Sequence, residues 1–309
     1  MGGSGGGYFH ISNPNDFTKK LREEEEKTTN SHFETEVSGL IDELLAQYNN
    51  RDTELITRHI ERIKLALEKD IEGVLDLLFG GSVSKHTYVD GLSDIDALVI
   101  LNKSDLNGKS PEDVKNYFYT RLKESLPNTE IHRGKLAITI KYSDSEIQIL
   151  PAVRTESGIK IADQNSGKWA SINPEKFTTC LTEVNKNVSM KLIPTIKMVK
   201  SIISNLPENR QLTGYHVESL AVEIFKSYDG KKTTKSMLKH FFSEATDKVM
   251  SPIKDKTGQS RHVDDYLGSG GSLERKIASD ALNRIARKLK NADGSQSLDK
   301  WKEILGENN

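Results

Sequence analysis

A glycine-serine turn follows an apolar run in the first third of the chain. Gly81 and Ser82 come shortly after the stretch that ends at Phe79. Backbone N–H groups can approach an anion closely at glycines, and the Ser82 hydroxyl adds one more donor. A short helix predicted to begin at Ser82 would also point its positive end toward that anion. The turn therefore predicts a binding site for a triphosphate.

Two carboxylates follow at the start of a second apolar run. Asp94 and Asp96 stand two residues apart, so on a strand both would face one side of the sheet while Ile95 faces the core. Adjacent carboxylates repel each other unless a cation neutralises them, and Mg²⁺ or Mn²⁺ is the natural partner. Such a pair can hold two ions for in-line phosphoryl transfer. We therefore predict that Asp94 and Asp96 are the metal ligands of a nucleotidyl-transfer site.

The combination of the two motifs is more specific than either one, because glycine pairs are common in loops and Asp-x-Asp is often a solvated strand end. Together, the two motifs resemble the signature of the polymerase-beta-like nucleotidyltransferases. More narrowly, Leu92-Ser93 before the Asp pair and segment 149–153 are similar to elements of the cGAS/DncV-like enzymes, the CD-NTases of bacterial CBASS antiphage operons. The resemblance extends over most of the chain.

Two parts of the second half extend the resemblance. Lys200 and segment 212–220 are similar to the helical-lobe elements that hold the donor nucleotide in CD-NTases. The resemblance implies that Gly81, Ser82, Lys200 and Tyr215 hold the donor triphosphate and base. From the residues alone, Lys200 is a solvated lysine of an amphipathic helix, and Tyr215 is either a ring that stacks on the donor base or a buried ring at a helix start.

The resemblance also implies the fold and the domain organisation. The fold is α+β, a polymerase-beta-like nucleotidyltransferase core with a small mixed sheet, long N-terminal helices and a C-terminal helical lobe. A flexible glycine-rich tail would occupy residues 1–14, the N-terminal helices and the core 15–170, and the helical lobe 171–309. A cleft between the lobes would hold the nucleotides.

The function that the resemblance implies is synthesis of a second messenger. The enzyme would depend on Mg²⁺ or Mn²⁺ and join NTPs, with ATP among them, into a cyclic di- or trinucleotide. The product would activate a separate effector protein during phage infection. A further protein encoded in the same CBASS operon is a candidate partner.

One position departs from the family pattern. The third catalytic carboxylate is expected where this chain has Gln148, and a neutral amide is neither a general base nor a strong ligand for a hard cation. Glu146 lies two residues earlier on the same strand face and could take the acidic role. Alternatively, the enzyme works with two carboxylates and Gln148, or the chain is catalytically silent. The predicted catalytic set is therefore Asp94, Asp96, Glu146 and Gln148.

Two other functions stay open. A linear terminal nucleotidyltransferase acting on RNA or tRNA would use the same motifs. The net charge of −1 argues against it, because no global positive field attracts nucleic acid, and we expect no stable nucleic-acid binding. The other is a non-catalytic nucleotide-binding or sensor module, which the neutral Gln148 favours.

Composition and the absence of certain segments predict the cellular location of the protein. The single cysteine, Cys180, excludes an internal disulfide and a multi-thiolate zinc module. No apolar run approaches the ~18 residues of a spanning helix, and no charged-then-apolar secretory start is present. We predict a cytoplasmic protein without membrane contact.

Apolar periodicity predicts the elements that position these residues. Two long helices over residues 16–48 and 52–71 precede a strand over 74–79, and a second strand over 97–101 follows the Asp pair. A further helix begins at Ser110-Pro111, where proline suits the first turn. We expect the first two helices to flank the sheet.

The rest of the chain is predicted as a hairpin followed by helices. Strands over 136–140 and 146–153 would pair and bring Gln148 near the Asp pair. Lys85 and His86 follow the Gly-Ser turn, and they would either contact a phosphate or have no role in binding. Four lysines are predicted to form a solvated patch or, alternatively, to line the acceptor side: Lys231, Lys232, Lys235 and Lys239. Helices are expected to start near Pro174, Leu192, Thr213, Thr234, Ser272 and Ser297.

Overall fold

The structure is a computed structural model, and its description covers part of the chain. The described residues are 14–49, 53–68, 75–79, 85–87, 89, 95–101, 108–156, 158–163, 167–172, 174–256 and 262–307. Residues 1–13 of the predicted N-terminal tail, and the predicted helix start at Ser82, therefore fall outside the described residues, whereas Pro14 is described.

Helices dominate the two ends of the chain, and the strands lie between them. The helices are α1 (Pro14–Tyr48), α2 (Thr53–Glu68), α3 (Pro111–Ser125), α4 (Pro174–Asn187), α5 (Leu192–Ser204), α6 (Gly214–Phe225), α7 (Thr234–Lys248), α8 (Leu273–Gly294) and α9 (Leu298–Leu305). The strands are β1 (Leu75–Phe79), β2 (Ile95–Leu101), β3 (Glu130–Arg133), β4 (Ile138–Lys141), β5 (Glu146–Thr155), β6 (Gly158–Ala162) and β7 (Trp169–Ile172).

The sheet is mixed, as predicted. Its order is β1-β2-β5-β4-β3, while β6 pairs with β5 and β7 pairs with β6. The β2–β5 pair is parallel, and the other pairs are antiparallel. The first half of β5 pairs with β4 and its second half with β6. β5 is thus the central strand, and β6 and β7 were not predicted.

Local signals explain why α3 begins where it does. The Ser110 side chain accepts a hydrogen bond from the Asp113 backbone N–H, and the Asp113 carboxylate accepts one from the Ser110 backbone N–H. This reciprocal capping box satisfies two donors at the helix end, and Pro111 occupies the first turn. The helix start predicted at Ser110-Pro111 is confirmed.

Two main hydrophobic cores organise the described residues, and the first two helices belong to different ones. α2 and α3 pack on the sheet face that carries Ala97, Val99, Ile147 and Ile149. α1 instead packs with α4 to α9 through an apolar stripe that includes Phe33. The expectation that both helices flank the sheet is therefore correct for α2 and wrong for α1.

The predicted solvated lysine patch is also partly wrong. Lys235 is only 3% exposed, and its ammonium lies 2.6 Å from Glu34 Oε1 of α1 and 2.7 Å from Asp293 Oδ1 of α8. The same ammonium lies over the rings of Phe33 and Trp301. The side chain is buried because carboxylates from two other helices neutralise it, which spacing within one helix does not reveal.

Among the described residues, no helix combines the length and the apolar character that a membrane span requires.

Candidate active site

The strand register places two of the predicted catalytic residues opposite each other. Asp96 of β2 is the register partner of Gln148 of β5. Partners on adjacent strands share one face of a sheet, because side chains alternate between the two faces. Gln148 is half-buried, whereas Ile147 and Ile149 on either side of it are fully buried in the core on the other face. The parallel pairing of β5 with β2 therefore places Gln148 beside Asp96 in the sheet, whereas the predicted hairpin pairs Gln148 with Thr139 of β4.

Three other predicted residues fall outside the described part of the chain. They are Gly81, Ser82 and Asp94, so their roles in triphosphate and metal binding stay predictions. Within the described ranges, no group of three or more histidine, cysteine or acidic side chains is arranged to hold a metal ion. The donor chemistry fits a hard cation: two carboxylates from the Asp pair and the amide oxygen of Gln148 are oxygen ligands, which Mg²⁺ takes.

Glu146, the predicted alternative acid, lies on β5. It precedes Gln148 by two residues on β5, so both side chains face the same side of the sheet. Glu146 Oε2 is 3.7 Å from Lys141 Nζ across the hairpin, and the carboxylate side chain is 33% exposed. The carboxylate is therefore accessible and only loosely paired, and its acidic role stays a prediction.

On the helical side, one buried carboxylate holds two ammonium groups. Glu218 of α6 is 1% exposed, and its Oε1 accepts a hydrogen bond from Lys200 Nζ at 2.8 Å. Lys85 Nζ donates to Oε2, and Thr87 Oγ1 donates to Oε1. Lys200 Nζ also donates to the Thr87 carbonyl at 3.0 Å. We refer to Lys85, Thr87, Lys200 and Glu218 as the Glu218 cluster; it joins the segment after the Gly-Ser turn to α5 and α6.

The charge of Glu218 is maintained by its partners. Burial alone would raise the pKa of the Glu218 carboxyl, but the Lys85 and Lys200 ammonium groups outweigh burial and hold this pKa below its ordinary value. The carboxylate is therefore ionised at neutral pH. Removing one partner of such a buried pair leaves an uncompensated buried charge, which strongly destabilises the folded state.

The backbone turns sharply between the two cluster residues of the loop. His86 has φ of 58°, in the left-handed region, and its side chain is exposed. Left-handed non-glycine residues are uncommon and mark tight turns, with histidine among the types enriched there. The turn lets Lys85 and Thr87 reach the same carboxylate while His86 faces solvent.

The Tyr215 ring is surrounded on several sides. Its hydroxyl donates to Asp255 Oδ1 at 2.8 Å, and the Phe177 ring meets it edge-on at 5.0 Å between centroids. Lys85 Nζ lies 5.0 Å from the Tyr215 ring centroid, in cation–π range. The Tyr215 ring is therefore half-buried beside the Glu218 cluster. This location is compatible with both interpretations from the sequence, a ring that stacks on the donor base and a buried ring at a helix start.

A second buried network supports the start of α6. Arg275 Nη1 donates to Asp264 Oδ2 at 2.7 Å, and both side chains are fully buried. His216 lies 3.5 Å from the same carboxylate oxygen, and its Nδ1 is 2.8 Å from the Tyr266 hydroxyl. Burial lowers the pKa of His216 to about 4, against the opposing influence of Asp264. The imidazole is therefore neutral at physiological pH.

Sequence reasoning missed the role of Glu218. The residue lies within segment 212–220 but was not singled out, and its partner Lys85 is 133 residues away in the chain. A local signal was present: Glu218 interrupts the apolar residues Val217 and Leu220 on a helix that is otherwise buried. A charge on a buried helix requires an opposite charge, but the sequence does not say which one.

The comparison with known families decides the classification. Residues 28–185, just over half of the chain, match the model of the "Second Messenger Oligonucleotide or Dinucleotide Synthetase" domain. The chain belongs to this family. The resemblance to the CD-NTases is thereby confirmed, and the family consists of cyclic oligonucleotide synthases.

A curated relative and two solved structures agree with the family. The cyclic AMP-AMP-AMP synthase of Acinetobacter sp. (strain ATCC 27244 / 9458) is 21% identical over 238 residues, which span 72% of this chain and 67% of that protein. The CdnC:HORMA-deltaN complex of E. coli MS115-1 gives a TM-score of 0.62 at 14% identity, covering 86% of this chain and 91% of that chain.

The Vibrio cholerae DncV cyclic AMP-GMP synthase, in complex with the linear intermediate 5′ pppA(3′,5′)pG, gives a TM-score of 0.61 at 12% identity and covers 96% of this chain and 90% of that chain. At these identities, the structural similarity shows the fold. The predicted α+β, polymerase-beta-like fold is confirmed.

Proposed function

We propose that this protein is a metal-dependent nucleotidyltransferase that joins NTPs into a cyclic di- or trinucleotide second messenger. The observation that carries the proposal is the register of Asp96 with Gln148 on parallel strands, near the start of both β2 and β5. Membership of the synthetase family supports the same reaction. Asp94, Asp96, Glu146 and Gln148 form the proposed catalytic set.

The chain's own residues bind and orient two nucleotides. Gly81 and Ser82 hold the donor triphosphate, and Lys200 and Tyr215 hold its phosphates and base. Mg²⁺ or Mn²⁺, held by Asp94 and Asp96, would neutralise phosphate charge when bound. A ribose hydroxyl of the acceptor forms a bond to the donor α-phosphorus, and the bond to the leaving pyrophosphate breaks.

The attacking hydroxyl must lose a proton in each transfer. Glu146 is a carboxylate on the same face of β5 as Gln148, and we assign the proton to it. The second transfer closes a two-nucleotide ring, and a third is needed for a trinucleotide. Pyrophosphate is released once per bond.

Substrates and partners follow from the family and are part of the proposal. ATP is among the NTPs, the product activates an effector protein in antiphage defence, and an operon-encoded protein is a further partner. A relative supports such a partner, since E. coli MS115-1 CdnC forms a complex with a HORMA protein. We place this activity in the cytoplasm.

The neutral amide of Gln148 favours a second candidate, a nucleotide-binding module without turnover. In that case the protein would bind NTPs through the same residues but release no pyrophosphate. The two candidates differ only in the chemical step, so one experiment separates them.

The test is to incubate the full chain with four labelled NTPs and Mg²⁺ or Mn²⁺, treat with phosphatase, and separate the products. A phosphatase-resistant product is expected, because a ring has no terminal phosphate. The Asp94→Ala, Asp96→Ala double variant should make none while keeping its helical circular dichroism spectrum. Retained synthesis in that variant would refute the assignment, and NTP binding without pyrophosphate release would support the non-catalytic module.

A further inference from the structure

The Glu218 cluster contains two ammonium groups and one carboxylate. Lys85 and Lys200 are each 9% exposed, and Glu218 is 1% exposed. Buried charges are costly unless they are paired, so a second ammonium beside a single carboxylate is difficult to explain by stability alone. An anionic ligand next to the two lysines would balance the charge.

The two lysines differ in how many hydrogen bonds they already make. A lysine ammonium has three N–H donors. Lys200 Nζ donates to Glu218 Oε1 at 2.8 Å and to the Thr87 carbonyl at 3.0 Å, and it lies 3.5 Å from Thr87 Oγ1. Two of its donors are therefore occupied by Glu218 and the Thr87 carbonyl, and the third, whose protein contact is 3.5 Å long, is the one left for a phosphate oxygen.

Lys85 keeps donor capacity. Within the part of the chain that the structure describes, its one hydrogen-bond acceptor is Glu218 Oε2. The other close groups are the rings of Phe177 and Tyr215, at 5.1 and 5.0 Å from the nitrogen. Aromatic rings accept N–H groups only weakly, so an oxygen anion would be a better partner.

The position of Lys85 in the chain also suits contact with a phosphate. It is the third residue after Ser82, and the left-handed turn at His86 follows it. Through Glu218 it is held beside Lys200, which lies on α5. One ammonium is thus contributed by the segment after the Gly-Ser turn and the other by the helical part.

We propose that Lys85 contacts the phosphates of the donor nucleotide, and that Glu218 is the positioning residue that holds Lys85 beside Lys200. This inference rests on the proposed function and deepens it. It assigns two lysines to the binding of the triphosphate, and the family resemblance indicated only Lys200. Glu218 touches no substrate, and it acts through the two ammonium groups.

The test compares a triphosphate with a monophosphate. Dissociation constants for a non-hydrolysable ATP analogue and for AMP are measured by calorimetry with the full chain and Mg²⁺. The ratio of the two constants reports phosphate recognition, whereas a general loss of folded structure would weaken both ligands alike. Lys85→Met keeps the length and the apolar stem of the side chain and removes only the ammonium.

We expect Lys85→Met to lower the preference for the triphosphate about tenfold, since a hydrogen bond to a charged group is typically worth a factor of that order. Glu218→Gln should also lower the preference, because it leaves the two lysines without their shared anchor. Glu218→Asp should restore part of it. The matched control is Glu303→Gln, which removes an exposed carboxylate paired with Lys288 on α8 and should leave the ratio unchanged.

Several outcomes would overturn the inference. An unchanged ratio of the two dissociation constants in Lys85→Met would show that the cluster is purely structural. Lys85→Met is the less disruptive variant, so it still tests the inference if Glu218→Gln does not fold. Tighter triphosphate binding by Glu218→Gln would show that the carboxylate competes with phosphate instead of positioning the lysines. A wild-type chain that binds neither ligand would overturn the proposed function together with this inference, whereas normal wild-type binding with unaffected variants overturns the inference alone.

Discussion

Gln148 is the residue at which the proposed catalytic set departs from the family pattern. It is the register partner of Asp96 on β2, the position at which the family pattern has a third carboxylate. We predict that Gln148→Glu raises the rate of pyrophosphate release, because a general base typically contributes about 10²–10⁴-fold. A gain toward the lower end is expected, since Glu146 already supplies a carboxylate two residues away. Single-turnover pyrophosphate release measures the effect.

The matched control for this prediction is Gln148→Asn. It keeps the amide and shortens the side chain, so it should give no gain. A Gln148→Glu variant no faster than the wild type would show that this position does not limit the reaction, and the two-carboxylate interpretation would then be preferred.

Residue types and short spacings were enough to predict Asp96 and Gln148 but not the Glu218 cluster. Asp96 and Gln148 each lie at the start of an apolar run that indicates a strand, and the parallel pairing of those two strands places them side by side. Lys85 and Glu218 meet only after the helical part of the chain has packed. No local pattern records a contact between residues so far apart.

At the scale of elements, helices were predicted better than strands. Caps and apolar stripes located α3 and α5, whereas β6 and β7 were missed because strands of five and four residues carry too few alternations to stand out. The core against which α1 packs was also not predicted. Its apolar stripe predicts a buried face, yet the stripe contains no information on whether the sheet or the helices cover that face.

Lys235 connects α1 to the C-terminal helices, and this connection can be tested. Lys235→Met retains the apolar stem against Phe33 and Trp301 but removes the ammonium between Glu34 and Asp293. We expect the free energy of unfolding to fall by about 1–3 kcal/mol, the usual contribution of hydrogen bonds to charged groups, because the buried ammonium and its bonds to two partly exposed carboxylates are lost. Chemical denaturation followed by circular dichroism measures it.

Lys232→Met is the control for this prediction, because Lys232 is exposed and lies before α7. It should change the free energy of unfolding by less than about 0.5 kcal/mol, as surface substitutions usually do. Equal effects of the two variants would mean that the buried ion pairs between α1 and the C-terminal helices add nothing to stability.

The stability of the whole molecule should depend on pH through His216. Burial lowers the pKa of His216 to about 4 in the folded state, whereas an unfolded histidine has a pKa of 6.5. Below pH 6.5 the unfolded chain therefore binds a proton that the folded chain does not, and the free energy of unfolding falls as the pH drops toward 4. Between pH 7 and pH 5 this loss is about 2 kcal/mol for one such group.

The pH range separates His216 from Glu218. The Glu218 carboxyl has a lowered pKa in the folded state, so its stabilising contribution is present above its ordinary value of 4.5 and is lost only at lower pH. Denaturation curves at pH 7 and pH 5 therefore report mainly on histidine. His216→Asn, which cannot titrate, should lose about 2 kcal/mol less than the wild type between these two values. His32→Asn, at a side chain that is 74% exposed, should keep the wild-type dependence. The same slope in all three proteins would mean that the imidazole takes up its proton within the folded lobe, with Asp264 as the anion that accommodates it.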